Sequence, residues 1–123
     1  MPKEDKVGFG GRASIPAGIY RFRALGVKLV EAKGTEKLVV PWVVTEGKYK
    51  DEEVSEWFGF AKRDVYFLQQ ALQELELIAV LAPGEKMEPQ PSKDDIMNWL
   101  EGCECNAEVT VDDYGNKISS RWV

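Results

Sequence analysis

The chain has 123 residues, 44% of them hydrophobic and 30% charged, with a formal net charge of −5, the size and balance of one globular domain with its own core. Histidine is absent, which removes the commonest general base, metal ligand and switch near neutral pH; the two cysteines, Cys103 and Cys105, are too few for a structural zinc site and read as small apolar residues of a reduced protein. No apolar run approaches the roughly 20 residues of a membrane helix, and Met1-Pro2-Lys3-Glu4-Asp5-Lys6 lacks the apolar stretch of a signal peptide, so a cytoplasmic protein is expected.

Residues 1–14 are charged and glycine-rich and read as a flexible arm, leaving residues 15–123 as a single domain. Ile15-Pro16-Ala17-Gly18 is a turn that launches a strand from Ile19 to about Val30. Tyr20, Phe22 and Ala24 alternate there with Arg21 and Arg23, the period-2 signature of a half-buried strand. Gly26 falls where a bulge or bend lets a long strand curl. After a loop at 31–36, a second strand from Lys37 to Thr45 carries Leu38, Val40, Trp42 and Val44 in phase, with Pro41 as its one irregular residue. A turn at 46–51 leads to a third strand, Glu53 to Phe60, which places Val54, Phe58 and Phe60 together and Trp57 opposite.

From Ala61 the period changes. Val65, Leu68, Leu72, Leu75 and Ala79 recur at spacings of three and four, which predicts an amphipathic helix of about four to five turns ended by Pro83-Gly84. A proline-containing loop follows, then Ser92 as a helix cap with Asp94 and Asp95 in the first turn of a short helix through Ile96, Met97 and Leu100. Cys103 to Val111 alternates again as a fourth strand, and Lys117 to Val123 is a fifth strand that closes a hairpin around Asp112–Asn116. The order β-β-β-α-(α)-β-β predicts a mostly β fold, a five-stranded OB-like barrel with a helical insertion.

Ile15-Pro16-Ala17-Gly18, the stretch Leu38 to Val44, the turn Glu46-Gly47-Lys48-Tyr49-Lys50, the strand ending Trp57-Phe58-Gly59-Phe60 and the closing hairpin together resemble a family of small phage-encoded proteins, long catalogued as a domain of unknown function. The resemblance spans residues 15–123. It implies an OB fold and single-stranded-DNA binding in phage replication or recombination, in the host cytoplasm, and carries no catalytic set. The link at 83–101 is long for the family, and partner recruitment through an acidic tail is not expected.

Residues 12–48 hold seven basic side chains against three acidic ones, and residues 49–123 seven against sixteen, so the positive charge of an acidic protein is concentrated in its first part, where it can serve a local binding face. Sequence-tolerant strand binding needs cations along the phosphates and aromatic faces for the bases, and OB barrels bind across strands 2–3 and the loops joining strands 1–2 and 4–5. The candidates are Arg21 and Arg23 pointing outward from the first strand, Lys33 and Lys37 at the first loop, Lys48 and Tyr49 in the second turn, Trp57 out of phase with its strand's apolar face, and Tyr114, Lys117 and Arg121 in the closing hairpin. Trp42, Phe22, Phe58 and Phe60 are assigned to the core. Gly8-Phe9-Gly10-Gly11 lacks the Lys-Ser/Thr of a phosphate loop, the acidic pairs Glu52-Glu53 and Asp94-Asp95 read as solvated surface, and no nucleophile, base or metal cluster presents itself. The expectation is therefore a non-enzymatic protein without cofactor or metal that coats single strands, with self-association or replication and recombination proteins as further partners. The alternative is a protein-interaction or virion assembly module on the same barrel, which suits the acidic second half.

Overall fold

A computed structural model describes residues 14–85, 87 and 91–123; most of the expected arm lies outside them. The elements are β1 (Gly18–Ala24), β2 (Lys28–Ala32), β3 (Thr35–Val44), β4 (Glu53–Gly59), α1 (Val65–Glu74), α2 (Lys93–Leu100), β5 (Glu104–Asp112) and β6 (Gly115–Trp122). The six strands form one antiparallel sheet. β1 lies between β3 and β5, β6 pairs with β5, and β4 pairs with β3. The protein is thus mostly β.

Six strands appear where five were expected because the first is broken. Gly26 takes φ +83°, a left-handed conformation that L side chains rarely adopt, and the Glu101 carboxylate accepts hydrogen bonds from the Gly26 and Val27 amides at 3.0 and 2.8 Å. The break lets one long strand serve two stretches of β3: β2 pairs with Thr35–Val39 and β1 with Trp42–Val44. Pro41 sits where β3 changes partner. Its carbonyl accepts from the Leu25 amide at 3.0 Å, so the N–H it lacks belongs on the side of the break, where a missing donor costs least.

The alternation read from the sequence sets the buried face. Phe22 and Ala24 on β1, Leu38, Val40, Trp42 and Val44 on β3, Val54 and Phe58 on β4, and Cys105, Ala107 and Val109 on β5 all point inward. Phe22 and Trp42 pack edge to face with ring centroids 6.4 Å apart, a favoured aromatic geometry. The helices close this face with Leu68 and Leu72 from α1 and Ile96 and Leu100 from α2. Burial pushes the Cys105 thiol up to about 12, and both cysteines are free.

α1 spans ten residues, shorter than the spacing predicts. Glu76 adopts φ +60°, and the Leu77 amide reaches the Leu72 carbonyl while that of Glu76 reaches Gln73, a Schellman stop made without glycine. The chain that leaves it is held by glutamines the sequence placed among polar helix positions. Buried Gln69 accepts from the Met87 amide at 3.0 Å and donates to the Glu85 carbonyl at 3.3 Å, while Gln73 accepts from the Leu81 amide at 2.7 Å. α2 starts as expected, with the Ser92 hydroxyl accepting from the Asp95 amide at 3.0 Å. Among the described residues no helix is long and apolar enough to cross a membrane.

Ser14, the last residue of the expected arm, is fixed. Its amide and that of Ile15 donate to the Asn116 side-chain carbonyl at 2.8 and 3.2 Å, and the Asn116 amide returns a bond to the Ile15 carbonyl at 2.8 Å.

Candidate nucleic-acid groove

The sheet curls until its two ends, β4 and β6, lie side by side. Four successive antiparallel pairings separate them, so they run in the same direction. No strand pairing joins them among the described residues, and the seam is a cleft of about 820 Å³ with Asp64, Phe67 and Gln70 of the α1 region at its side.

A buried ionic network crosses the seam. Arg121 of β6, 8% exposed, forms ion pairs with Glu56 of β4 and, at 2.8 Å, with Glu74 of α1. Glu56 also accepts from the Trp42 indole N–H at 3.1 Å. Burial is the main cause that raises the Glu56 pKa; Glu74 adds to the rise, while Arg121 and the Trp42 hydrogen bond oppose it. Arg121 points inward because a bulge interrupts the hairpin. Val109 pairs with Ile118 and Glu108 with Ser120, leaving Ser119 as an extra residue, which reverses the facing of everything beyond it.

Two aromatic side chains line the cleft in the open: Trp57 on β4, 56% exposed, and Phe67 on α1, 67% exposed. Lys37 and Lys117 also line it, without ion-pair partners among the described residues. Gly59 permits a close approach: a Cβ there would lie 2.7 Å from Asp64 Oδ2 and 3.1 Å from Lys37 Nζ, so the absence of a side chain lets carboxylate and ammonium converge over the strand.

Of the ten candidates, the cleft brings together Lys37, Trp57, Lys117 and Arg121. Arg121 is a correction in kind, since it is spent on Glu56 and Glu74 rather than presented to solvent. Arg21 and Arg23 do point outward, but over β5, where both pair with Glu104; hydrogen bonding from Arg23 holds the Glu104 carboxyl below its usual range. Lys33 is exposed in the β2–β3 turn, and Tyr114, 83% exposed, is in the β5–β6 turn. Lys48 lies 5.5 Å from the Tyr49 ring, and Tyr49 is half-buried against Tyr20 with centroids 6.1 Å apart, so this ring packs on the core rather than standing free. Phe67 was missed. Its signal was present: it stands off the Val65–Leu68–Leu72 stripe, where a large apolar residue has no core to fill. No group of three or more potential metal-ligating side chains occurs among the described residues.

A scan of the sequence against protein-family models gives no match, and a search among curated proteins gives none either.

Proposed function

We propose that the chain is a single-stranded-DNA-binding protein of the small phage type, that its sheet is an OB barrel with an open seam, and that the β4–β6 groove is its strand-binding site. The barrel reading is supported by counting β1 and β2 as one bent strand: five strands then follow one another with the helices between the third and fourth. The lysine-bearing β2–β3 turn and the tyrosine-bearing β5–β6 turn are then the two loops that flank such a site.

The observation that carries the function is the meeting of two exposed rings, Trp57 and Phe67, with two lysines, Lys37 and Lys117, along one groove. Unpaired bases offer faces to stack on rings, and a duplex does not. Anisotropy titration of labelled poly-dT, with duplex of the same length as control, tests this. Binding of the single strand alone is expected; equal binding of both, or of neither, contradicts the reading.

A second reading rests on the same seam. The outer edges of β4 and β6 both lack strand partners among the described residues, and such edges accept an extended peptide. A protein-docking module is what remains if poly-dT is ignored at low salt.

A further inference from the structure

Given that reading of the groove, we infer that it holds a single strand through its bases, on Trp57 and Phe67, and only weakly through phosphates. The charge lining the groove decides this. Its cations are Lys37, Lys117 and Arg121, and its carboxylates are Glu56 and Asp64. Arg121 is buried and occupied by Glu56 and Glu74, and its remaining nitrogen, Nε, is wholly enclosed. No phosphate reaches it. Lys37 shares the space over Gly59 with the Asp64 carboxylate, which offsets part of its attraction for an anion. Among the described residues that line the groove, two cations, Lys37 and Lys117, are therefore open to phosphates, and the whole protein carries −5.

Arg21 and Arg23 do not alter this count, because they lie on the β1–β5 face and share Glu104. The apolar side is stronger. Trp57 and Phe67 are over half exposed on regular elements whose inner faces are packed, so the rings are presented without any rearrangement of the core. Each base stacked on a ring strengthens binding about fivefold or more. Two phosphate contacts to a single strand give a salt slope of about −1.4, a loss of only about sevenfold between about 50 and 200 mM salt. Stacking on two rings outweighs that term.

The test is poly-dT affinity at several salt concentrations for the wild type and for Trp57→Ala and Phe67→Ala, with circular dichroism confirming the fold. Both rings are exposed, so neither substitution opens the core. The expected result is a slope no steeper than about −2 and a loss of about fivefold or more for each variant. Binding with a slope beyond about −4, or affinity indifferent to both substitutions, overturns the inference while leaving strand binding intact. No binding to poly-dT at about 50 mM salt overturns the underlying reading as well.

Discussion

Arg121 and Glu56 join the two ends of the sheet: one sits on β6, the other on β4, and their ion pair spans a seam that no strand pairing closes among the described residues. Arg121→Gln removes the partner of two largely buried carboxylates. Breaking a buried pair from one side costs about 3–5 kcal/mol, and the partial exposure of Glu74 places the expected loss near about 3 kcal/mol. Urea unfolding of the variant measures it; an unchanged midpoint would show that the network does not hold the seam.

Glu56 also makes stability depend on pH, with a defined sign. Its pKa is raised in the folded protein, burial being the largest cause, so over its titration range the folded state binds more protons than the unfolded one. Its contribution is fully present below the ordinary carboxylate value of 4.5 and declines as pH rises through the folded pKa. Glu56→Gln should therefore gain stability relative to the wild type between pH about 4 and 7. Thermal unfolding at both pH values checks the direction, and a relative loss would mean that the pair with Arg121 outweighs burial.

The strand break at Gly26 predicts a pair of effects. Gly26→Ala forces a side chain into φ +83° and should cost about 1 kcal/mol. Glu101→Ala frees the Gly26 and Val27 amides and should raise their hydrogen-exchange rates with a similar loss of stability, about 1 kcal/mol. Unchanged exchange at these two amides would show that Glu101 does not staple the break.

Charge reversal separates the two basic surfaces. Arg21→Glu with Arg23→Glu should leave poly-dT affinity within about twofold, whereas Lys117→Glu should lower it severalfold by placing a carboxylate at a phosphate contact. Titration of the variants at one fixed salt concentration reads both. The opposite order would move the binding face from the seam to the β1–β5 sheet.

What the sequence displayed was whatever a single buried face imposes. The alternation of Phe22 and Ala24 with Arg21 and Arg23, and of Leu38 through Val44, fixes strands because a one-residue slip would expose the whole set. Ser92 capped its helix for a local reason, visible in four residues. What stayed hidden depends on distant partners. Gln69 and Gln73 carry no mark in the sequence that they hold the amides of Met87 and Leu81. Arg121 reads as an outward strand residue until the extra residue at Ser119 turns it inward. The end of α1 at Glu74 could not be read from spacing because its stop uses Glu76, not glycine. In the groove, Trp57 was legible as out of phase on its own strand, whereas its meeting with Phe67 required the curl that brings β4, β6 and α1 together.

The most direct test of the groove is a titration of poly-dT into isotopically labelled protein, followed by amide and indole chemical shifts. The account predicts changes concentrated at Ser55–Gly59, at Phe67 and Gln70, at residues 116–119 and at the Trp57 indole, with the Arg21 and Arg23 amides undisturbed. Changes centred on β1 and β5, or none at all at saturating oligonucleotide, would contradict it.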